Sequence, residues 1–220
     1  MQCIKDTIKN INIVIGCNIG CSYCYARMNN NRFHTIDDFN KPVFFENKLK
    51  MLDNKRHTAY LLTGQSDLSG WNEEWKDKVF SKMKENETTQ YIFLTKRPEN
   101  INLKETPDNG WFGVTVTSSK EKTRIDYLRN NIKAKHYHIT FEPMFDDVGK
   151  LDLNNISWIV IGTETGNKKR KISSKREWVF NIYNQAKEKN IPVFMKEDLL
   201  GILNEDEFVQ EFPKEFGGIK

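Results

Sequence analysis

The segment Phe112–Phe141, FGVTVTSSKEKTRIDYLRNNIKAKHYHITF, contains the unit that decides the fold. It opens with the apolar run Phe112–Val116 and closes with the run Tyr137–Phe141, both rich in β-branched and aromatic residues. Between them lies Lys120–Asn130, a polar stretch with a helical pattern. Two such runs joined by a helix predict a β-α-β unit with parallel strands.

The same unit recurs along the chain. Further apolar runs are each followed by polar and often helical sequence, and most are apolar throughout, as strands buried on both faces should be. These runs are Ile11–Ile15, Ala59–Thr63, Tyr91–Thr95, Trp158–Ile161 and Pro192–Met195, and further helical patterns cover Glu73–Glu85 and Lys175–Lys189. The repetition predicts a parallel sheet with helices outside it.

The number of strands indicates the architecture. A closed eightfold barrel takes about 250 residues, whereas this chain has 220 residues and shows six or seven strands. The sequence therefore predicts an α/β fold with an open, partial parallel (β/α) barrel. We expect residues 1–198 to form the barrel core and residues 199–220 to form a short extension packed on it.

Composition excludes several classes of protein. Apolar residues make up 38% and charged residues 29% of the chain, a balance that suits a folded globular domain. No apolar run approaches the ~18 residues of a membrane helix, and the first residues lack the pattern of a secretory signal. We therefore expect a cytoplasmic protein without a membrane partner. The net charge of +4 is too small to indicate a nucleic-acid partner.

The cysteines are concentrated at one turn. Cys17, Cys21 and Cys24 lie within eight residues, whereas a disulfide framework would spread its cysteines along the chain. The spacing C-x3-C-x2-C indicates ligation of a metal or cluster in a reducing compartment, and Gly16 and Gly20 permit a tight loop. Structural zinc and electron-transfer clusters normally take four protein ligands. Three thiolates on a four-iron cluster would leave one iron open to an exchangeable ligand.

Two other interpretations of this turn stay open. A zinc knuckle could recruit a fourth ligand from elsewhere in the chain, or an electron-transfer cluster could have an unrecognised fourth ligand. The available zinc ligands are Cys3, His34, His57, His136 and His138. Cys3 precedes Cys17 by fourteen residues, and we expect it to be an ordinary thiol.

With the aromatic Tyr23 before the last cysteine, the turn resembles the C-x3-C-x-aromatic-C signature of the radical S-adenosylmethionine (radical SAM) superfamily. The resemblance implies a 4Fe-4S cluster held by Cys17, Cys21 and Cys24, with its open iron bound to S-adenosylmethionine. One electron from an external donor of flavodoxin or ferredoxin type would cleave the cofactor to a 5′-deoxyadenosyl radical, which abstracts hydrogen from a substrate. The superfamily also implies a partial barrel with this turn after its first strand. Tyr23 would cover the cofactor adenine or the cluster.

Polar side chains follow nearly every predicted strand. A barrel of this class places its chemistry at the carboxyl ends of the strands, so we expect these residues to converge on one cavity. The segments are Thr63–Asp67, Thr95–Pro98, Thr115–Ser118, Phe141–Pro143, Gly162–Gly166 and Lys196–Asp198.

The strand ends also resemble a narrower group, the phage-associated radical-SAM-type proteins of uncharacterised function. The matching segments are Ser66–Leu68, Leu94–Glu99, Glu142–Pro143, Gly162–Gly166, Arg170 and Met195–Lys196, within a likeness that spans about Ile11 to Phe212. Three departures stand out. Many members of the group have a longer gap between the first two cysteines, whereas this chain has three residues there. Thr163 replaces a glycine of the group, and Gly64–Asp67 replaces the Gly-Gly-Glu whose backbone meets the methionyl amino group in the superfamily.

In addition to the resemblance, the chemistry of the side chains suggests three sets of site residues. Candidate acceptors for the methionyl ammonium are Gln65, Ser66 and Asp67. Candidate partners of the ribose hydroxyls are Thr115, Thr117 and Ser118. Lys96 and Arg97 could neutralise a carboxylate or a substrate phosphate, and Glu142, Glu164 and Lys196 would then face the substrate. The pair Glu142 and Lys196 could equally be a structural ion pair.

A basic stretch follows the sixth predicted strand. Residues 167–176 contain six basic residues and no acidic one, namely Lys168, Lys169, Arg170, Lys171, Lys175 and Arg176. The stretch could bind a nucleic acid or nucleotide, or it could be a solvated loop. The sequence thus predicts a radical SAM enzyme with an unknown anionic substrate. The alternative is a non-catalytic zinc or iron–sulfur module that binds nucleic acid through this stretch.

Overall fold

The computed structural model describes residues 1–54, 56, 58–165 and 171–217. Within these ranges the strands are β1 (Ile8–Asn10), β2 (Val14–Ile15), β3 (Val43–Phe44), β4 (Ala59–Leu61), β5 (Gln90–Thr95), β6 (Gly110–Thr115), β7 (His136–Phe141), β8 (Ile156–Ile161) and β9 (Val193–Met195). Seven of them form one parallel sheet in the order β1-β4-β5-β6-β7-β8-β9. The sheet curls into an open α/β half-barrel, so the predicted partial parallel barrel is confirmed.

The helices are α1 (Ile4–Thr7), α2 (Tyr25–Phe33), α3 (Glu73–Glu85), α4 (Thr123–Asn131) and α5 (Arg176–Glu188). One of the helices, α1, precedes the first strand, and the others lie between strands. The observed α3 has the predicted bounds, and its first turn is capped by Asn72, whose side chain accepts a hydrogen bond from the Trp75 amide. The predicted start of α4 at Lys120 is wrong, because a short 3₁₀ turn over Ser119–Glu121 precedes the helix. Among the described residues, no helix combines the length and apolar character needed to cross a membrane.

Alternate residues of the strands face two different apolar layers. Phe93 and Phe112 stack at 5.0 Å on the face that the helices cover, where α3 contributes Val79. Their neighbours Ile92 and Trp111 point to the opposite, concave face, because successive side chains alternate along a strand. Burying each large apolar side chain stabilises the fold by roughly 1.5–3 kcal/mol, so both faces of the sheet support the half-barrel.

The first predicted strand, Ile11–Ile15, is only partly correct. The sheet begins earlier, with β1, and Val14–Ile15 pairs antiparallel with β3 instead. An edge strand needs no continuous apolar run. The sequence therefore did not predict β1, because this strand contains the polar residues Lys9 and Asn10. The chain nevertheless stays beside β4, since the Ile11 amide donates to the Leu61 carbonyl at 3.0 Å.

The chain after β9 folds back along the sheet. The Met195 amide donates to the Val209 carbonyl and the Glu211 amide donates to the Val193 carbonyl, both at 2.8 Å. Phe212 and Phe216 then pack against Trp158 at the bottom of the concave face. The extension therefore closes the end of the half-barrel opposite to the carboxyl ends of the strands.

Candidate active site at the mouth of the half-barrel

A cavity of about 570 Å³ lies on the concave face and opens at the carboxyl ends of the strands. Its volume falls in the range of small-molecule sites, roughly 300–1,000 Å³. The floor is mostly apolar and includes Leu61, Ile92, Trp158 and Val160, whereas the rim is polar. An apolar floor with a few convergent polar groups is typical of a ligand-binding site.

Most of the site residues predicted from the sequence line this cavity. They are Cys17, Cys21, Tyr23, Cys24, Gln65, Ser66, Asp67, Lys96, Thr115, Glu142, Glu164 and Lys196. They come from separate strand ends and from the cysteine turn, so the parallel topology brings together groups that are far apart in the sequence.

Three predicted site residues lie outside the cavity. The amide and hydroxyl of Thr117 both donate to Glu121 Oε2 at 2.7 Å, and Ser118 is the N-cap of the 3₁₀ turn that follows. Arg97 does not line the cavity, and its guanidinium donates to Asn18 Oδ1 in the cysteine loop at 3.2 Å. The ribose role of Thr117 and Ser118 therefore has no support in their placement, and of the residues predicted for it only Thr115 faces the cavity.

The basic stretch is only partly visible. Lys168, Lys169 and Arg170 lie outside the described residues. Of the others, Arg176 forms an ion pair with Glu207, and Lys175 lies over the Trp178 ring at 5.2 Å.

Glycine shapes the turn that carries the cysteines. Gly16 has a φ of +114°, and a Cβ atom there would lie 2.9 Å from Pro42 Cα, so a larger residue would strain the backbone. The Gly16 amide donates to the Gln65 carbonyl at 3.0 Å, which joins the turn to the end of β4. The tight loop that the sequence predicts is therefore present at the rim of the cavity.

Arg27 and Cys24 hold the loop from the helix side. The Arg27 guanidinium donates to the Cys17 carbonyl at 2.8 Å and lies over the Phe39 ring at 5.0 Å. Cys24 caps α2, because its Sγ accepts a hydrogen bond from the Arg27 amide at 3.4 Å. All three thiols of the loop are partly buried, and burial raises the pKa of Cys17 to about 11.

The cysteine loop fits an iron–sulfur cluster in the kind of donor it offers. Soft thiols on one lip of a cavity suit such a cluster. Within the described ranges, however, no three Cys, His, Asp or Glu side chains come close enough together to hold one metal ion. A single zinc ion would draw its thiolates to within roughly 4 Å of one another. Ligation by Cys17, Cys21 and Cys24 therefore stays a prediction.

The residues considered as a fourth zinc ligand have different surroundings, and one of them lies outside the described residues. The Cys3 thiol donates to Glu197 Oε1 at 3.1 Å, and His136 stacks on Trp111 at 4.2 Å. His34 is the C-cap of α2, His138 lies on the cavity floor, and His57 is outside the described residues.

Asp67 is a buried carboxylate that organises the end of β5. Its Oδ1 accepts hydrogen bonds from the Ser69 amide at 3.0 Å and from the Thr95 hydroxyl at 2.7 Å, and its Oδ2 accepts one from the Lys96 amide at 2.8 Å. The Ser69 hydroxyl adds a fourth donor at 2.7 Å. These bonds occupy most of the acceptor capacity of a carboxylate. Asp67 thus positions the chain at Lys96, whereas the sequence predicted an acceptor for an ammonium group.

Lys96 is a cation that faces the cavity. Its Nζ lies 3.4 Å from Thr115 Oγ1 and 5.8 Å from the centre of the Tyr23 ring. It forms no ion pair with any carboxylate in the described part of the chain. Tyr23 in turn packs edge-on against Phe145, and burial raises the pKa of its hydroxyl. Lys96 is therefore available to bind an external anion.

Lys196 has a different environment on the other side of the mouth. Its Nζ forms ion pairs with Glu142 and with Asp198 Oδ2, the second at 3.3 Å. Burial opposes the charge of Lys196, but the two carboxylates outweigh it and raise its pKa. Burial also raises the pKa of Asp198. A Cβ atom at Gly162 would lie 3.1 Å from Glu142 Cγ, so the strand end leaves little space around this cluster.

Glu164 anchors the segment that returns to α5. It is buried, and its Oε2 accepts a hydrogen bond from the Ile172 amide at 3.1 Å. The neighbouring Thr163 hydroxyl accepts the Ser174 amide at 3.1 Å. The sequence placed Glu164 among the substrate-facing groups, and in the structure it combines a place on the cavity with a structural role.

His138 lines the floor of the cavity, and the sequence reasoning considered it only as a zinc ligand. A histidine in an apolar strand resembles an ordinary core residue, which is why it was missed. The available signal was the alternation along β7. His138, Thr140 and Glu142 share one face because they are two residues apart, and all three line the cavity.

Comparison with known proteins identifies the family. A family model described as "Protein of unknown function (DUF5131)" matches residues 2–217. No curated protein and no solved structure matches the chain. The matched region takes in the cysteine loop, all the strand ends around the cavity and the extension behind it. Because the match covers nearly the whole chain, this protein belongs to the DUF5131 family.

Proposed function

We propose that this protein is a radical SAM enzyme, which binds one 4Fe-4S cluster through Cys17, Cys21 and Cys24. The proposal rests on one observation above all. The three thiols and the polar strand ends, predicted separately from the sequence, line one cavity. When bound, the cluster would supply the electron that cleaves S-adenosylmethionine to a 5′-deoxyadenosyl radical. The substrate would be an anionic molecule held in the same cavity.

The turn after β4 would hold the amino-acid end of the cofactor. Gln65 and Ser66 line the cavity beside the cysteine loop. The Tyr25 hydroxyl donates to the Gly64 carbonyl at 2.5 Å, and Trp71 Nε1 donates to the Ser66 hydroxyl at 3.0 Å. These bonds join the turn to the loop and to the core, so its acceptors are fixed before a ligand binds. Fixed polar groups lower the ordering cost of binding.

Lys96 is the group best placed to bind an anion. It faces the cavity without a carboxylate partner among the described residues, between Tyr23 and Thr115. Asp67 fixes the backbone at Lys96, so the ammonium group is held near the cysteine loop. A carboxylate or phosphate of the bound molecule would neutralise the Lys96 ammonium group and accept a hydrogen bond from it worth about 1.5–3 kcal/mol. Lys196 is a weaker candidate, because its ammonium group already forms ion pairs with Glu142 and Asp198.

Anaerobic reconstitution with iron and sulfide tests the proposal. The wild-type protein should bind about four irons per chain, and Cys17→Ala, Cys21→Ala and Cys24→Ala should each lose the cluster. Cys3→Ala is the matched control and should keep the cluster, because the Cys3 thiol binds Glu197 instead. Iron content and the electron paramagnetic resonance of the reduced protein report binding without any activity assay.

The same preparation tests the reaction. Reduction with dithionite or a flavodoxin in the presence of S-adenosylmethionine should yield 5′-deoxyadenosine slowly without substrate. A single tightly bound zinc ion in place of iron would favour the non-catalytic metal-binding module. Loss of the cluster in Cys3→Ala would contradict ligation by three cysteines.

A further inference from the structure

The residues before β1 cross the open side of the half-barrel, between the two edges of its sheet. The Gln2 amide donates to the side-chain oxygen of Gln210 at 2.7 Å, and the side-chain amide of Gln210 donates to the Gln2 carbonyl at 2.9 Å. The Cys3 thiol donates to Glu197, which follows β9. Because β1 and β9 are the edge strands, residues 2–7 join one edge to the other. We call these residues the N-terminal strap.

The N-terminal strap brings to the cavity a lysine that the sequence did not indicate. Ile4 packs against the apolar layer of the concave face to which Ile8 belongs, and Lys5 lines the cavity between them. Lys5 is exposed and forms no ion pair in the described part of the chain. Its carbonyl accepts a hydrogen bond from the ammonium group of Lys9, which does not line the cavity. Lys5 therefore adds an accessible cation to the wall of the cavity.

The charged side chains around the cavity leave two cations without a counter-ion. Among the described residues that line it, the lysines are Lys5, Lys96 and Lys196, and the carboxylates are Asp67, Glu142 and Glu164. Glu142 forms an ion pair with Lys196, and Asp67 accepts hydrogen bonds from amides and hydroxyls. Glu164 accepts one from the Ile172 amide. None of the three carboxylates pairs with Lys5 or Lys96.

The two cations lie on one continuous wall of the cavity. The sheet order β1-β4-β5 makes the strand that follows the N-terminal strap a close neighbour of the strand that ends before Lys96. Asn10, the last residue of β1, is exposed and also lines the cavity. A Cβ atom at Gly64 would lie 3.2 Å from Asn10 Nδ2, so this glycine leaves room for the amide. The wall thus offers two ammonium groups and an amide, all of which donate hydrogen bonds.

We propose that the cavity binds a small molecule with two anionic groups, one held by Lys96 and the other by Lys5 and Asn10. The ligand class is a bisphosphate. The inference rests on the proposed function, because it names the class of substrate that this cavity takes. Each phosphate gives one ammonium group the counter-ion that the described residues do not supply, through a charge-assisted hydrogen bond. The N-terminal strap thereby gains a binding role in addition to joining the edges of the sheet.

Alkane bisphosphates test the proposal, each compared with the alkyl monophosphate of the same chain length. Isothermal titration calorimetry at low salt measures both affinities over a series of chain lengths, on the protein without cluster or S-adenosylmethionine. The bisphosphate of best length should bind about tenfold more tightly than its monophosphate, as expected for one further charge-assisted hydrogen bond. The absence of such a gain at every chain length would overturn the proposal. Because no cluster is needed, this result is independent of whether reconstitution succeeds.

Two variants show whether Lys5 supplies the second anion site. Lys5→Met and Lys9→Met each remove one positive charge from the same region, but only Lys5 lines the cavity. Lys5→Met should lower the affinity for the bisphosphate about tenfold, to that of the monophosphate. Lys9→Met should keep the preference for the bisphosphate, and Lys5→Arg should keep it because the cation is retained. An equal loss in Lys5→Met and Lys9→Met would indicate a general effect of charge and would contradict the proposal.

Discussion

Lys96 and Lys196 occupy the same position on two strands, one residue beyond the carboxyl ends of β5 and β9, yet their surroundings differ. Lys196 forms ion pairs with Glu142 and Asp198. The Lys96 ammonium group lies near the Thr115 hydroxyl and the Tyr23 ring and forms no ion pair in the described part of the chain. The comparison shows that a strand-end lysine gives no functional information until its partners are known.

The difference arises from what the neighbouring carboxylates do. On the Lys196 side, Glu142 and Asp198 direct their oxygens to the ammonium group. On the Lys96 side, the Asp67 carboxylate instead accepts hydrogen bonds from backbone amides, that of Lys96 included, and from hydroxyls. On one side of the mouth the ammonium group is therefore already paired within the protein, whereas the Lys96 ammonium has no carboxylate partner in the described part of the chain.

Removing the Lys196 charge should have the largest effect on stability. Lys196→Met leaves Glu142 and Asp198 without their cation, and breaking a buried pair in this way costs about 3–5 kcal/mol. Because the Glu142 side chain is 29% exposed, we expect about 3 kcal/mol. Urea unfolding measures the free energy of unfolding. Lys96→Met is the matched control and should change it by less than about 1 kcal/mol, because no ion pair is lost; equal losses in the two variants would remove the contrast.

His138 adds a third case, a buried base that stays neutral. Burial lowers the pKa of His138 to about 4 in the folded protein, against 6.5 for an unperturbed histidine. The unfolded chain therefore takes up the proton first as the pH falls, so the contribution of His138 is present above about pH 6.5 and is lost as the pH drops towards 4. Between pH 7 and pH 5 we expect a loss of about 2 kcal/mol. His138→Gln removes this part of the pH dependence. Urea unfolding should therefore show that the free energy of unfolding of the wild type falls by about 2 kcal/mol more than that of His138→Gln between pH 7 and pH 5. An equal fall in the two proteins would contradict the prediction.

The fold was largely predictable because parallel strands buried on both faces leave continuous apolar runs. Tyr91–Thr95 and Tyr137–Phe141 were recognised in this way, and both lie in strands of the sheet. β1 was not predicted, because it lies at the edge of the sheet, where the polar residues Lys9 and Asn10 are tolerated. The break between β1 and β2 depends on pairing with the distant β3, which no local pattern reveals.

The sequence could predict which residues lie around the cavity, but it could not predict how they bond to one another. Topology alone brings strand ends to one mouth, so Lys96, Glu142 and Lys196 could be placed around a cavity from the sequence. Their partners could not, because the ion pair of Lys196 and the hydrogen bonds of Asp67 depend on side-chain directions over a few ångströms. The place of His138 could not be predicted for a related reason, because its ring occupies the space that Gly113 leaves on the next strand.

The smallest effect expected concerns the unpaired lysine. Inorganic phosphate should bind the protein at low salt, and Lys96→Met should weaken that binding by about tenfold, the effect of losing one charge-assisted hydrogen bond at the lower end of its range. Arg97→Met is the control, because Arg97 does not line the cavity and its guanidinium donates a hydrogen bond to Asn18. Isothermal titration calorimetry measures both affinities. The sequence alone assigned the two residues the same role, so an equal loss in Arg97→Met would support that assignment and would contradict the contrast between Lys96 and Lys196 on which the anion site depends.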